Sequence, residues 1–588
     1  MISTVARRAL SRAVLSASLV SAAIVTATAL VGCTRPAPAD LVITNAKVIT
    51  VDRAFSLAGG VAVTGGRIIA VFPAGADASS HVGPDTRVID AGGRAVIPGL
   101  IDTHVHALGV AATEATNPFR NLTSIAGIQA WVREAAGRAP AGTWLWTPRL
   151  FPTRVAERRF PTRAELDAAA PDHPVVVDGA YALVLNTAAL RAAGITADTP
   201  DPAGGAIVKD AEGRPSGLLR NVGGMLARFR TGGVQMPLDG LESVHREYLR
   251  AGITSVIERG ADAAGYRRYQ ELADQQRLHV RATVTLQLPR PADEADVVRL
   301  IEALPIKPGT GNDRLKVGPL KILVDGGILA GTAYMREPYG LAAASLYGVD
   351  DPGYRGFLTV PPDIIRKVFT EGHVRGWQMS AHVTGDAGVD AVLDAIEAAQ
   401  QLGPMPTDDR RHTLIHAYFP NPETAKRAAR LGVYVDTQPA WYYKDVDALA
   451  PALGADRLAH FIGLRTWLDA GVRTAINTDH MFGLDGNTSM NPFNPFLTMY
   501  VAITRKSEAG DVIGASEAVT REQALRLMTS EAAWFSFDEG TRGSIEAGKL
   551  ADLVILSDDI LTVPDERIRD IRADMTIVGG VVVHERTP

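Results

Sequence analysis

The feature that most constrains this chain is an alternation repeated eight times, in which a short run rich in Val, Ile, Leu and Thr precedes a stretch with helical apolar spacing. The β-like runs fall at residues 95–106, 251–260, 279–288, 319–327, 378–386, 412–419, 433–439 and 473–480. Strands that alternate with helices pair in parallel, because each crossover helix carries the chain back to the same end of the sheet. Eight such units predict an α/β architecture, a (β/α)8 TIM barrel whose functional residues stand at the C-terminal strand ends. An open, doubly wound sheet is the competing topology, but no Gly-rich dinucleotide turn follows the first run.

The crossovers carry their own signals. In GVDAVLDAIEAAQQL, Val389, Val392, Leu393 and Ile396 share one helical face. In NPETAKRAARLG, Pro422 stands near the start and Gly432 just past the end. One gap, from His106 to Ala251, is too long for a crossover. It holds a capping box at Thr162 and Glu165, a strand-like HPVVVDGAYALVL and a hairpin pattern turning at residues 210–214. We expect an inserted subdomain, about residues 110–240, that covers the barrel mouth and shapes the pocket. The barrel then spans residues 97–540. Residues 40–96 and 541–588 are β-rich, and each set alone would leave an apolar face uncovered, so both ends are expected to pair into one small β-sandwich.

Residues 1–33 read as an export signal: Arg7, Arg8 and Arg12 precede an apolar stretch that ends in Leu30-Val31-Gly32-Cys33. That tetrapeptide resembles a bacterial lipobox, with Cys33 as the lipidated residue and residues 34–39 as a Pro-rich tether. The expected location is therefore exported and lipid-anchored in the cell membrane, at its periplasmic or extracellular face. The export route, Sec or Tat, is open. Cys33 is the single cysteine, which excludes an internal disulfide framework and a cysteine-based zinc cluster. A net charge of -5 without a long basic run gives no footprint for nucleic acid.

The chemistry starts at IPGLIDTHVH, residues 97–106. In a strand, residues i and i+2 face the same way, so His104 and His106 can present both imidazoles to one metal ion. Lys321, His382, His416 and Asp479 stand near the ends of the fourth, fifth, sixth and eighth strands. Four imidazoles, a carboxylate and a lysine at one barrel mouth can hold one or two divalent metals. Read alone, Lys321 fits an ion pair with Asp325 equally well. His412 lies at the opposite end of its strand, and His480 should point away from Asp479, so neither joins the set.

With PGLIDTHVH, LKILVDGGILAGTA, SAHVTGDAGVDAVLDAI, RHTLIHA and the tail ADLVILSDDILTVPDERIRDI, the chain resembles the amidohydrolase superfamily. Within it, the chain is most similar to the family 3 branch that includes N-substituted formamide deformylase and YtcJ-like proteins. The resemblance implies that His104, His106 and Asp479 bind the more buried metal and that His382 and His416 hold the second. Lys321 would bridge the pair as a carbamate, since an unmodified ammonium repels metals. Zinc is the expected ion. The implied reaction is hydrolysis of a non-peptide C–N bond in a small-molecule amide or formamide, by a metal-activated hydroxide with Asp479 as proton shuttle. An ester or lactone hydrolase, or a ligand-binding lipoprotein without turnover, is the alternative. The chain departs from the branch at Gly179-Ala180-Tyr181, where relatives often carry Gly-His, and at DGGILAGTA, where a Ser and an Arg are missing. Gln438, Trp441 and Tyr442 are expected to line an apolar pocket or to pack in the core.

Overall fold

The computed structural model describes residues 38–230, 237–402 and 409–587. The expected signal, Cys33 and residues 34–37 of the tether lie outside the described residues. Among the described residues, no helix is long and apolar enough to cross a membrane.

Eight strands form one sheet in chain order: β1 (Leu100–Val105), β2 (Ile253–Ala261), β3 (Arg281–Gln287), β4 (Leu315–Leu323), β5 (Met379–Val383), β6 (Thr413–His416), β7 (Tyr434–Thr437) and β8 (Thr474–Ile476). Every neighbouring pair is parallel. Just past β8, Val105 bridges His480 and the His106 N–H donates to the His480 carbonyl, which brings the first and last strands together. The chain is thus a (β/α)8 barrel. The expected crossover helices form, including Asp386–Gln400 and Pro422–Arg430, the latter capped by Asn421.

The first β-like run is two strands rather than one. Ala95–Pro98 belongs to a six-stranded sheet, and the barrel strand begins at Leu100. Gly99 sits at the switch, where a Cβ would meet Thr254 at 2.2 Å, so the turn needs a residue without a side chain. In the six-stranded sheet, Leu553–Leu556 from the C-terminal region pairs antiparallel with Ala95–Pro98. A four-stranded sheet of N-terminal strands packs against it through Ile43, Val61, Val63, Val96, Leu553 and Ile577, all buried. Pairing between distant chain segments covers apolar faces that neither could cover alone.

The long segment after β1 folds as a five-stranded sheet with helices. Thr162 and Glu165 make the capping box, and Ala206–Lys209 pairs antiparallel with Pro215–Arg220 around the expected turn. Val175–Gly179 and Ala182–Leu185 form a tight hairpin in which only Ala180 and Tyr181 make the turn. Ala180 has φ +64, and this turn aims Tyr181 into the barrel mouth.

Candidate metal centre

All six side chains expected at the site line one cavity of about 530 Å³ at the C-terminal ends of the barrel strands. His104 Nε2 lies 3.2 Å from His106 Nε2, and these nitrogens are 3.3 and 3.4 Å from Asp479 Oδ1. Ligand atoms about 2.0–2.1 Å from one tetrahedral ion stand about 3.3–3.4 Å apart, so this triangle is the size of a metal-binding face. Asp479 Oδ1 is buried and has no hydrogen-bond partner, while Oδ2 accepts the Trp441 Nε1–H at 3.0 Å. An orphaned buried carboxylate oxygen facing two imidazoles fits a cation.

The second pair passes the same test through its tautomers. His416 Nδ1 lies 2.7 Å from Gln438 Oε1, an acceptor, which assigns the proton to Nδ1 and leaves Nε2 bare. His382 Nε2 lies 3.2 Å from the Gly326 carbonyl, which assigns its proton to Nε2 and leaves Nδ1 bare. The two bare nitrogens face each other at 2.8 Å. Two lone pairs at that separation repel, whereas two imidazole ligands at about 90° on one ion stand about 2.9 Å apart. Burial pushes all four histidines below their ordinary pKa, His382 to about 3, so each is neutral and ready to coordinate at pH 7.

Burial also lowers the Lys321 amine to about 8, although the Asp479 charge opposes the shift. Its Nζ donates to the Arg259 carbonyl at 2.8 Å. The alternative ion pair with Asp325 is absent: both Asp325 oxygens accept backbone N–H groups of Tyr334, Thr384 and Gly385, pinning the loop after β4 to the end of β5. His412 and His480 do not line the cavity. His412 accepts the Met379 N–H, and His480 is held between the Tyr248 hydroxyl and the Gly483 carbonyl.

Local backbone geometry presents the ligands. β8 ends at Ile476, and Asp479, one residue before the His480 bridge to β1, has φ +48. His416 at the end of β6 has φ +78. Left-handed conformations cost a non-glycine residue about 1–2 kcal/mol, and here they turn the Asp479 and His416 side chains into the cavity. Asp102 holds both ends of this arrangement. Its carboxylate accepts the His104 N–H on β1 and both the N–H and hydroxyl of Thr478, and burial raises its pKa to about 7.

Three side chains read as an apolar lining separate by position. Trp441 lines the cavity, Gln438 orients His416, and the Tyr442 hydroxyl donates to the Arg505 carbonyl away from the cavity. The reason is helical: residues 439–453 form a helix, and only the face carrying Trp441 looks into the barrel mouth. Arg149, Phe151, Tyr181 and Arg230, all from the segment after β1, line the cavity as well. The Tyr181 hydroxyl lies 3.4 Å from His382 Nδ1. Its ring occupies the space of a missing side chain, since a Cβ on Gly327 would meet it at 2.9 Å. The tyrosine in the first departing motif therefore depends on the glycine in the second.

A profile described as the amidohydrolase family matches residues 87–584. The putative amidohydrolase YtcJ of Bacillus subtilis (strain 168) is 27% identical over 526 residues, covering 86% of this chain and 92% of its own. N-substituted formamide deformylase of Arthrobacter pascens is 30% identical over 576 residues, covering 93% and 99%. An uncharacterized metal-dependent hydrolase from Pyrococcus horikoshii OT3 superposes with a TM-score of 0.64 at 19% identity, covering 90% of this chain and 99% of that one, and shares the fold.

Proposed function

The chain belongs to the amidohydrolase family, and from that premise we propose that it hydrolyses the C–N bond of a small N-formyl or N-acyl amine. It is a metal-dependent hydrolase of C–N bonds other than peptide bonds. The observation that carries the narrower reading is the unpartnered Asp479 oxygen beside two imidazoles, inside a cavity with largely apolar walls.

In this reading His104, His106 and Asp479 hold one ion, His382 and His416 the other, and Lys321, as a carbamate, lies between. Zinc suits such a histidine-rich set. When bound, a divalent ion supplies charge that polarises the scissile carbonyl and acidifies water. The chain's own groups do the rest. The Asp479 carboxylate takes the proton of the attacking water and passes it to the departing nitrogen, while the Trp441 Nε1–H donated to Oδ2 fixes its orientation. Burial holds the Tyr181 hydroxyl well above its ordinary pKa, so it keeps its proton and can donate to the carbonyl oxygen. Phe151, Ile328, Leu329 and Phe482 exclude bulk water from the reacting bond.

The test is amine release from N-formylbenzylamine and N-acetylbenzylamine. Metal-replete protein should turn over at least one of them, a chelator should lower the rate by about 100-fold or more, and added zinc should restore it. Turnover indifferent to chelator, or none from folded and metal-replete protein, contradicts the reading.

Lys321 makes a second expectation. Carbamate formation joins the lysine nitrogen to the carbon of CO2 and releases one N–H proton, so it needs the neutral amine. Because the amine titrates near pH 8, the neutral fraction grows as pH rises through that value. At equal concentrations of dissolved CO2, protein stripped of CO2 should therefore be activated faster at pH 9 than at pH 7, with a mass gain of one CO2. A Lys321→Met protein should show neither response. Equal activation of that variant would remove the carbamate.

A further inference from the structure

Opposite the metal-facing histidines, the cavity wall carries a charge arrangement that the hydrolysis step does not use. Arg149, three residues past the inserted sheet's short first strand (Leu145–Trp146), reaches Asp178 through Nε at 3.2 Å and through one terminal nitrogen at 3.3 Å. Arg230 reaches the same carboxylate at 2.9 Å. Two guanidiniums thus share one carboxylate, which leaves a unit of positive charge on a wall otherwise built from Phe151, Met481 and Phe482. Asp178 is 7% exposed and also accepts the Ala180 N–H at 2.9 Å, so it is committed to holding the pair.

The two arginines are fixed but not saturated. The Arg149 guanidinium lies over the Phe482 ring at 5.1 Å, and that of Arg230 over the Trp146 ring at 4.3 Å. Among the described residues, the second terminal nitrogen of Arg149 has only the Met481 sulfur, at 4.0 Å. A thioether is a weak acceptor, so a guanidinium N–H edge faces the cavity without an oxygen partner. A planar, prepositioned guanidinium in an apolar wall matches the geometry of a carboxylate. Low local polarity strengthens that attraction, and prior fixation by Asp178 and the rings lowers the ordering cost.

Resting on the amide-hydrolase reading above, we propose that Arg149 and Arg230 form a carboxylate-binding subsite, so that the substrate is an amide bearing its own carboxylate. The subsite would anchor the substrate at the wall while the scissile bond faces Asp479. A purely structural ion pair would instead show no preference between charged and neutral amides.

Matched probes separate these outcomes. N-formylphenylalanine is compared with N-formylphenethylamine, which places the carboxylate on the amine side. N-benzylsuccinamate is compared with N-benzylbutanamide, which places it on the acyl side. Metal-replete protein should favour the charged member of at least one pair by about 10-fold to 100-fold in kcat/KM, mainly through KM. Arg149→Met should bring that ratio toward unity, and Arg230→Gln, at a half-exposed rim position, should lower it without risk to the fold. Raising ionic strength should weaken the preference as well. No preference in either pair, or a preference that both variants retain, overturns the subsite. Calorimetry with the same four compounds reads binding without turnover. If no amine is released yet the charged probes bind more tightly to the wild-type than to the Arg149→Met protein, the hydrolase reading fails and the subsite stands. If binding shows no such difference, the subsite fails whatever the turnover.

Discussion

Replacing Asp479 by Asn should lower kcat by about 1,000-fold to 10,000-fold for any amide the protein hydrolyses, while the fold persists. Two effects add. The amide has no basic oxygen to take a proton from water, and it is a poorer ligand beside His104 and His106, which stand 3.3 and 3.4 Å from Oδ1. Stability should not fall with activity, because in the metal-free protein Oδ1 is a buried carboxylate oxygen without a partner, and neutralising it removes a desolvation cost. Steady-state kinetics, metal content and the thermal midpoint of the metal-free protein together decide this. A loss of less than about tenfold would move the proton shuttle to another residue.

Asp436→Ala should destabilise the protein by about 3–5 kcal/mol, the largest stability effect expected of a single polar residue here. The carboxylate lies in the barrel interior on β7, fully buried. It accepts hydrogen bonds from Thr103 on β1, Arg259 on β2 and Asn477 beyond β8. Burial raises its pKa above the usual carboxylate value, and the Arg259 guanidinium opposes that shift. Arg259 is itself 1% exposed and also donates to the Thr103 carbonyl. Removing the acid therefore strands a buried guanidinium and unties the strands that close the barrel beneath the cavity. Denaturant unfolding with unchanged slope and a lower midpoint is the expected signature. A change below about 1 kcal/mol would mean that water or relaxation satisfies Arg259.

The barrel was legible because its signal is local and repeated. Each β-like run ends near a polar residue, and each helix between runs hides one face, as Val389, Val392, Leu393 and Ile396 do. That six polar side chains line one cavity was legible for a related reason: His104 and His106 share a strand face by the two-residue period, and the others stand near strand ends, which a barrel brings to one mouth. Spacing alone left Lys321 divided between ligation and an ion pair with Asp325. Only the structure shows Asp325 occupied by three backbone N–H groups.

Other features were hidden because they depend on contacts between segments far apart in the chain. Gln438 reads as a pocket residue until the register of β6 and β7 sets its oxygen 2.7 Å from His416. Asp102 sits inside the motif that opens the site, yet its work is done on Thr478, across the closing seam of the barrel. The inserted segment carries no period that aims its side chains, so Tyr181 enters the cavity only through a two-residue turn with Ala180 in the left-handed region. Arg149, Asp178 and Arg230 are unremarkable charges in sequence, and become one positive wall when the insertion folds over the mouth.

Sequence by itself determined the eight-unit architecture and the six polar side chains that line the cavity, because both follow from short-range periodicity and strand-end position. The tertiary structure decided which lone pairs point inward, which carboxylate oxygen is left without a partner, and what charge the substrate meets. Those properties belong to contacts between segments tens to hundreds of residues apart, and they exist only once barrel closure and the overlying insertion bring the segments together.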